Sequence, residues 1–413
     1  MISLSEAQDW VLRWLSPLAP VEVGLDGALG CVSASALAAA GPVPPFANTA
    51  MDGFALRSAD TAGAPVELRV VGILPAGADP TGMRVGAGEA VRIMTGAPIP
   101  EGADAVVMVE RTRGGEAVGD TVTVEVEAPA GNHVRGAGED LAAGQEIFPA
   151  GTRLGPAHLG LLASAGLDRV AVHPRPRVGV LSTGDELVEA PAELRPGQIR
   201  DSNRRALLAL VRQCGCEAVD LGLARDDEAV IADVLAAGAR RCDAVLTSGG
   251  VSVGDFDYVL VVLEKLGERS RWMQVAIKPA KPLAFGIVEG APVFGLPGNP
   301  ASSMVSFELF ARPALRLLAG HPTPRPQPVA AVAADDLRRR PDGKLHLVRS
   351  VVEVDPAGRL TVRSAGGQGS NLLRSMAAAN ALALVPDGDG IASGGPVQVL
   401  LLGDDGALAP SGP

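Results

Sequence analysis

The chain has 413 residues, of which 47% are hydrophobic and 20% are charged, and its formal net charge is −11. At about 100–200 residues per domain, this length predicts two to four domains, and the apolar content excludes a disordered chain. The acidic balance argues against a duplex nucleic-acid-binding protein, because such proteins use basic residues to neutralise phosphates. A small anionic ligand in a locally basic pocket remains compatible with it.

No apolar run approaches the roughly 18 residues of a membrane-spanning helix. Residues 1–6 show neither the basic nor the apolar region of a secretory signal. Four cysteines do not make a disulfide framework, and the Cys214-Gly215-Cys216 pair is more typical of small buried side chains than of a metal or redox site. We therefore expect a cytoplasmic protein that binds neither nucleic acid nor membrane.

Within the first 165 residues, the sequence pattern changes from helical to strand-like and back to helical. Ser3 and Glu6 form a capping-box pattern before an apolar stretch to Leu15, which predicts an opening helix. Residues 24–40 are rich in alanine and favour a second helix. From 45 to 140, short valine-rich runs between Gly and Pro turns predict a small β-rich domain. These runs are 67–71, 105–109 and 121–126, and a helix is expected at 156–165.

Residues 177–319 alternate apolar strands with helical patterns, which predicts a mostly parallel sheet covered by helices on both faces. The expected strands are 177–182, 217–222, 243–247, 283–288 and 292–296, and the expected helices are 202–214, 226–240, 255–266 and 300–318. After a proline-rich linker at 321–326, short alternating runs predict a small β-barrel or sandwich.

Small and polar residues follow three of the predicted strands. In an open parallel sheet, ligands bind beyond the carboxyl ends of the strands, and glycine lets the backbone approach a phosphate closely. One such sequence is typical of an ordinary strand-to-helix turn, but three at one edge favour a phosphate-binding site. The candidate residues are Ser182, Thr183, Gly184, Ser248, Gly249, Gly250, Ser252, Pro297, Gly298 and Asn299.

Carboxylates gather at the same predicted edge, at Asp185, Glu186, Asp226, Asp227, Asp255 and Asp257. A bound Mg²⁺ would explain them beside an anion site, because it takes one or two carboxylates plus phosphate oxygens. Asp226 and Asp255 fit helix N-caps equally well. Glu186 and Asp257 lie past the cap positions, which favours a functional role.

Two of the four lysines in the chain, Lys278 and Lys281, fall in one segment, Ile-Lys-Pro-Ala-Lys-Pro. Prolines fix this backbone, and a compact ammonium charge suits phosphate or an oxyanion such as molybdate. A solvated charge pair is the alternative. The five histidines are scattered and receive no role, and the full glycine fingerprint of NAD binding is missing.

Together these motifs resemble the molybdopterin molybdenumtransferase family, which includes the bacterial MoeA proteins and the E domain of gephyrin. The resemblance covers essentially the whole chain. The segments that carry it are 48–55, 92–98, 182–187, 201–203, 248–258, 277–282 and 296–300.

The resemblance implies a multidomain α/β plus β protein whose doubly wound α/β domain is like that of molybdopterin adenylyltransferases. The implied domains are a helical and linker domain (1–44 and 141–176), a β-rich domain (45–140), an α/β domain (177–321) and a C-terminal β-barrel (322–413). It also implies a homodimer whose cleft combines the α/β and C-terminal domains of one subunit with the β-rich domain of the other.

The implied reaction inserts molybdate into adenylylated molybdopterin and releases AMP in a Mg²⁺-dependent step. Carried over by position, the catalytic residues are Asp52, Thr95, Glu186, Asp226, Asp257, Lys278 and Lys281, and Arg349 and Ser370 contribute from the C-terminal domain. Glu186, Asp226 and Asp257 are the candidate metal ligands. The adenylyltransferase and molybdoenzyme apo-proteins are candidate partners.

Two other functions remain open from the sequence. The α/β domain alone would suit an ATP-dependent adenylyltransferase, and the gephyrin E domain is also a dimeric scaffold. Two positions depart from the family pattern. Ala280 stands where members often have glycine, and Gln274 stands where some carry a basic residue.

Overall fold

The structure is a computed structural model that describes residues 1–251 and 258–403. The chain divides into two compact units. One comprises Glu22–Leu29 and Ser35–Ala171, and the other comprises Met1–Val21, Gly30–Ala34 and the described residues from Val172 on. Within the described ranges, every helix is too short or too polar to cross a membrane.

The opening helix is confirmed, together with its capping box. Ser3 Oγ accepts a hydrogen bond from the Glu6 N–H (3.2 Å), and Glu6 Oε2 accepts one from the Ser3 N–H (2.7 Å). The helix ends at Leu12 rather than Leu15. Up to residue 173 the elements are α1 (Leu4–Leu12), β1 (Val21–Gly24), α2 (Leu25–Ala28), β2 (Val32–Ser33), β3 (Leu37–Ala38), β4 (Asn48–Thr49), β5 (Gly53–Leu56), β6 (Val66–Leu74), β7 (Glu89–Ile93), β8 (Ala105–Met108), β9 (Thr112–Gly114), β10 (Thr121–Val124), β11 (Val134–Arg135), β12 (Glu146–Phe148), α3 (Pro156–Ser164) and β13 (Arg169–His173).

The helix predicted over 24–40 is wrong. Only α2 is helical there, and the chain then turns at Gly30, whose φ is +78°. Glycines weaken a helix, and the buried side chains of Val32 and Leu37 lie in short extended segments. A high alanine content alone is therefore not sufficient to predict a helix in this segment.

The β-rich region contains the three predicted runs as strands of one six-stranded sheet. Its order is β8-β5-β7-β6-β10-β9. One face packs a core that includes Phe54, Leu56, Val70, Val107 and Val122. The alternating burial of β6 explains why its sequence was readable as a strand.

The doubly wound α/β region is confirmed. Its elements are β14 (Arg177–Thr183), β15 (Leu187–Val188), β16 (Ile199–Arg200), α4 (Asn203–Gln213), β17 (Glu217–Ala224), α5 (Glu228–Ala239), β18 (Ala244–Ser248), α6 (Tyr258–Leu266), β19 (Glu268–Gln274), β20 (Ile277–Lys278), β21 (Pro282–Val288), β22 (Ala291–Leu296), α7 (Pro300–Ser306) and α8 (Arg312–Leu318). The sheet order is β17-β14-β18-β22-β21-β19. Its first four strands are parallel, and its last two run antiparallel to their neighbours.

Each face of this sheet has its own core. Leu207 of α4 and Val305 of α7 pack on one face, whereas Ile231 of α5 and Val262 of α6 pack on the other. The predicted helix at 300–318 contains a π-helical segment, Phe307–Ala311, between α7 and α8. The start predicted for α6 at Asp255 lies outside the described residues.

Strand β19 was not predicted. Its sequence is Glu-Arg-Ser-Arg-Trp-Met-Gln, and most of its side chains are exposed or half-buried. An edge strand needs no continuous apolar run, and charged side chains at an edge discourage pairing with other chains.

The C-terminal region is a closed five-stranded barrel, as expected. Its elements are β23 (Val329–Ala333), β24 (Leu337–Arg338), β25 (Leu345–Val354), β26 (Leu360–Ser364), α9 (Leu373–Ala377), β27 (Ala381–Val385), β28 (Gly390–Ile391) and β29 (Pro396–Leu401). The order β25-β26-β23-β29-β27 closes because β27 pairs with β25. Strand β20 joins the barrel by parallel pairing with β25, which aligns Lys278 with His346.

Candidate functional site

One large cavity lies where the carboxyl edge of the α/β sheet meets the barrel, and its volume is about 1410 Å³. Pockets for drug-sized ligands span roughly 300–1,000 Å³, so this one has room for a larger molecule. Predicted site residues that line it are Thr183, Gly184, Glu186, Asp226, Gly249, Gly250, Lys278, Lys281, Pro297, Gly298, Asn299 and Ser370. The sequence patterns thus converge on one place.

The glycines at the strand ends are required by their backbone geometry. Gly249 has φ +105° and Gly250 has φ +68°. A Cβ atom on Gly249 would lie 2.7 Å from the Thr183 carbonyl oxygen, closer than side chains tolerate. Beside them, the buried Thr183 hydroxyl has no hydrogen-bond partner among the described residues. Because buried polar groups are normally paired, this hydroxyl is available to a ligand in the cavity.

Ser182 and Ser248 support the cavity from beneath its surface. Asn203 Nδ2 donates hydrogen bonds to Ser248 Oγ (2.8 Å) and to the Gly298 carbonyl (2.6 Å). One side chain at the start of α4 therefore holds two of the strand-end loops together. Ser182 Oγ donates to Asp201 Oδ1 (3.0 Å).

A buried arginine fixes this same region. Arg204 is 2% exposed, and its guanidinium donates to Asp201 Oδ2 (2.9 Å) and Asp220 Oδ1 (2.5 Å) and also contacts Glu189. Burial alone would lower the pKa of Arg204, but the three carboxylates raise it. Breaking one of these contacts would leave a buried charge without compensation, which is costly. The contacts therefore stay formed, and the network supports the loops rigidly.

Two of the predicted carboxylates, Glu186 and Asp226, line the cavity. The N-cap of α5 is Asp227, whose side chain accepts the Val230 N–H (3.0 Å), so Asp226 does not cap this helix. Instead, Asp226 Oδ2 accepts the Asp185 N–H (3.4 Å). Within 1–251 and 258–403, no three His, Cys, Asp or Glu side chains are placed to hold a metal ion together. Ser252, Asp255 and Asp257 lie outside the described residues.

The double-lysine segment forms another part of the wall. Lys278 and Lys281 are exposed to the cavity, and neither has an ion pair or hydrogen bond with the described side chains. Between them, the buried Ala280 has φ +72°. This left-handed conformation explains why glycine suits the position. Gln274 is not among the described lining residues, and its carbonyl accepts the Ile2 N–H (2.9 Å).

The barrel supplies a wall that sequence reasoning missed. It includes Asp336, Arg338, Arg339, Arg340, Asp342, Lys344 and His346. The run Arg-Arg-Arg-Pro-Asp-Gly-Lys was the available signal, because it concentrates basic charge in an acidic chain. The sequence shows this basic run, but only the tertiary structure of the barrel shows that it lines the cavity.

His346 and Asp342 form a contact in this wall. His346 Nε2 lies 3.2 Å from Asp342 Oδ1, and Lys344 Nζ donates to Asp342 Oδ2 (3.0 Å). Although desolvation opposes ionisation of Asp342, the contacts with Lys344 and His346 lower its pKa to about 2. Burial lowers the pKa of His346, Arg339 and Lys278 lower it further, and Asp342 opposes them.

Arg349 and Ser370 occupy different levels of the barrel wall. Ser370 lines the cavity, whereas Arg349 is fully buried behind it. Arg349 Nη2 donates to the carbonyls of Gly367 (3.0 Å) and Gly369 (3.1 Å), which belong to the loop that carries Ser370. The Nη1 atom of Arg349 has no partner among the described residues.

Asp52 and Thr95 lie together in the β-rich unit. The backbone N–H and the hydroxyl of Thr95 both donate to Asp52 Oδ1, each at 2.6 Å. These two hydrogen bonds lower the pKa of Asp52, whose carboxylate is exposed. The Asp52 carboxylate is therefore charged, and Thr95 holds it in one orientation. An aspartate that only forms a turn would not need these two hydrogen bonds.

Three family models match the chain in order. The MoeA N-terminal region (domain I and II) matches residues 2–166, the "Probable molybdopterin binding domain" matches 179–317, and the MoeA C-terminal region (domain IV) matches 330–402.

Curated relatives extend over nearly the whole chain. Molybdopterin molybdenumtransferase 2 of Mycobacterium tuberculosis is 40% identical, and the match spans 94% of this chain and 96% of the relative. Molybdopterin molybdenumtransferase of Haemophilus influenzae is 38% identical, with 96% and 97% covered. Among solved structures, a molybdopterin biosynthesis MoeA protein from Pyrococcus horikoshii superposes with a TM-score of 0.80 at 31% identity, covering 97% of this chain and 99% of the other.

Proposed function

Because this chain belongs to the molybdopterin molybdenumtransferase family, we propose that it inserts molybdate into adenylylated molybdopterin and releases AMP. The observation that carries the proposal is the cavity, in which glycine-rich strand ends face two lysines without ion pairs among the described residues. Such a site offers backbone donors and positive charge to a ligand with phosphate groups and to an oxyanion.

Each part of the cavity has a role in this proposal. The strand-end loops around Gly249 and Gly298, with the Thr183 hydroxyl, bind the pterin and phosphate groups of the substrate. Lys278 and Lys281 hold molybdate near the dithiolene sulfurs that take the metal. Asn203 keeps two loops in register through its bonds to Ser248 and Gly298. These groups supply binding and orientation, which lower the barrier by positioning the reactants.

Magnesium fits the carboxylates of this cavity. Mg²⁺ keeps several waters and uses one or two protein carboxylates together with substrate phosphates. Glu186 and Asp226 meet that requirement among the lining residues, and Asp257 is a third candidate from the sequence. When bound there, the ion would neutralise charge on the phosphate oxygens.

The barrel and the β-rich unit contribute in different ways. Ser370 contacts the substrate, and Arg349 positions the loop that carries it. We propose a homodimer in which Asp52 and Thr95 serve the cavity of the partner subunit. The domain boundaries 1–44 with 141–176, 45–140, 177–321 and 322–413 belong to the same proposal. The adenylyltransferase and molybdoenzyme apo-proteins remain candidate partners.

A cytoplasmic location is also proposed. None of the four cysteines, Cys31, Cys214, Cys216 and Cys242, is part of a disulfide. Cysteines that stay reduced are typical of a reducing compartment.

The two alternative functions are less well supported. The relatives named molybdopterin molybdenumtransferase match this chain through its β-rich and C-terminal regions. An adenylyltransferase would need only the α/β region. A scaffold would need no cavity whose cations lack ion pairs within the described part of the chain.

The test supplies purified protein with adenylylated molybdopterin, molybdate and Mg²⁺, and measures AMP by chromatography and cofactor by reconstitution of an apo-molybdoenzyme. We expect AMP and cofactor in equal amounts, and no adenylylated product from ATP plus molybdopterin. Consumption of ATP instead would favour the adenylyltransferase, and no reaction with either substrate would contradict both enzymatic functions.

The lysine role is tested in the same assay. Lys281→Ala should raise the molybdate concentration needed for half-maximal rate by about tenfold, and Lys281→Arg should restore only part, because a planar fork does not replace a point charge. Lys265→Ala is the matched control, since Lys265 is paired with Glu228 and is not one of the described lining residues. Wild-type behaviour of Lys281→Ala at low molybdate would contradict the role.

A further inference from the structure

The cations of the cavity fall into two groups. Arg338 pairs with Asp336 (2.7 Å), Arg339 pairs with Asp342 (2.8 Å) and Asp387 (2.5 Å), and Lys344 pairs with Asp342 (3.0 Å). Three other lining cations, Lys278, Lys281 and Arg340, make no ion pair or side-chain hydrogen bond within 1–251 and 258–403. The two lysines already have a proposed ligand, whereas Arg340 has none.

Arg340 extends from a rigid segment. The neighbouring Arg339 is only 2% exposed at its side chain, and its Nη1 donates to the carbonyls of Lys344 (2.6 Å), Val385 (3.1 Å) and Pro386 (2.9 Å). Its Nη2 donates to Asp342 and Asp387. Arg339 thus fastens the backbone on both sides of the turn, and Pro341 restricts the backbone of Arg340, the residue that precedes it.

This arrangement gives the two neighbouring arginines opposite roles. Both Nη groups of Arg339 donate to partners inside the protein, whereas the exposed guanidinium of Arg340 stays open to the cavity. A binding group held by a fixed support loses less conformational entropy when its ligand arrives. An exposed arginine without such a support would be ordinary surface.

The chemistry of arginine selects the ligand. A guanidinium presents parallel N–H donors that match two oxygens of a phosphate, whereas the compact lysine charges suit a small oxyanion. The cavity volume of about 1410 Å³ also greatly exceeds what molybdate alone would need. A second anionic group, bound by a different cation from the lysines, is therefore part of the expected ligand.

We propose that Arg340 binds the phosphate of the nucleotide half of the substrate and retains that contact with the released nucleoside monophosphate. This inference rests on the proposed function, because it takes an adenylylated substrate as given. It adds a specificity residue on the barrel that discriminates a nucleotide-bearing pterin from one without a nucleotide.

The test measures the dissociation constant of AMP, with Mg²⁺ present, by titration calorimetry on the full chain. Arg340→Ala should weaken AMP binding by about tenfold or more, and Arg340→Lys should recover part of it. Arg363→Ala is the matched control, because Arg363 is an exposed barrel arginine that is paired with Glu353 (3.3 Å) and is not itself one of the described lining residues. Thermal unfolding of each variant checks that the barrel is intact.

A molybdate titration forms the other arm. We expect Arg340→Ala to leave molybdate affinity within about twofold of wild type. Unchanged AMP affinity in Arg340→Ala would overturn the inference, as would weaker molybdate binding with AMP binding intact, or a wild-type protein that binds no AMP. The transferase assay on the same preparations separates the two proposals. If wild type is active but Arg340→Ala binds AMP with unchanged affinity, only this inference is contradicted. If wild type is inactive, the proposed function is contradicted.

Discussion

At Ala280 the backbone is held at φ +72° in a buried position beside the cavity. A left-handed conformation costs an L-residue about 1–2 kcal/mol. Glycine would relieve this strain, but it would also lose a buried methyl group worth about 0.8 kcal/mol and give the unfolded chain about 0.4–1 kcal/mol more entropy. These terms nearly cancel, so alanine is tolerated where the family often has glycine.

The cancellation makes a prediction. Ala280→Gly should change the free energy of unfolding by no more than about 1 kcal/mol, whereas Ala280→Val should lower it by about 2 kcal/mol or more, because a β-branched residue fits a positive φ poorly. Urea denaturation measures both. Equal stability of Ala280→Val and wild type would mean that this residue does not need a left-handed backbone.

Single residues also mark where sequence reasoning stopped. Asp226 and Asp227 are adjacent and chemically identical, and only the backbone decides that Asp227 caps α5 while Asp226 lines the cavity. Arg339 and Arg340 are likewise indistinguishable in the sequence, yet one is buried and the other is open. A linear pattern identifies the candidate pair, but the tertiary fold assigns the roles.

Among the elements, the pairing of β20 with β25 has a chemical consequence. It aligns Lys278 with His346, so the double-lysine segment is attached to the barrel by main-chain hydrogen bonds. The charged groups that act on His346 are Asp342, which contacts its Nε2 atom, and the cations Lys278 and Arg339. Burial and the two cations outweigh Asp342 and lower the pKa of His346 from 6.5.

This balance predicts a pH dependence of stability. As pH falls below 6.5, the unfolded chain takes up a proton at His346 before the folded chain does, so the free energy of unfolding should fall. Comparing wild type with His346→Gln in urea at several pH values between 7.5 and 5.5 isolates this contribution. The free energy of unfolding of wild type minus that of His346→Gln should decrease on acidification. A difference that grows would mean that Asp342 dominates and raises the pKa of His346.

The elements that the sequence predicted well are those with clear periodicity. Strands β14, β18, β21 and β22 and helix α4 lie within two residues of their expected bounds. The failures have physical reasons. Residues 24–40 are alanine-rich but interrupted by glycines, and β19 lies at a sheet edge where its polar residues obscure the alternation.

At the scale of the whole molecule, the cavity depends on long-range closure. The barrel closes only because β27, near the end of the described chain, pairs with β25. The residues that line the cavity from the barrel are therefore far in sequence from the strand-end glycines. Periodicity predicts each element separately, but it cannot predict which loops of two regions face one another.

The Asp52–Thr95 pair belongs to one compact unit, whereas the residues that line the cavity belong to the other. We predict that it acts in the cavity of the partner subunit. Asp52→Ala and the double variant Lys278→Ala, Lys281→Ala should each be inactive as homodimers. Co-expressed with different tags, the two chains should form mixed dimers in which one cavity collects both lesions and the other collects neither.

The expected recovery follows from symmetry. Random pairing makes about half of the dimers mixed, and each has one intact site of two, so roughly a quarter of wild-type activity should return. Purification through both tags should raise this to about half, because only mixed dimers remain. If each site were built within one chain, every cavity of a mixed dimer would still carry one lesion, and activity would stay at the level of the parent variants. A single-chain arrangement and a shared arrangement therefore give opposite results in the same doubly tagged sample.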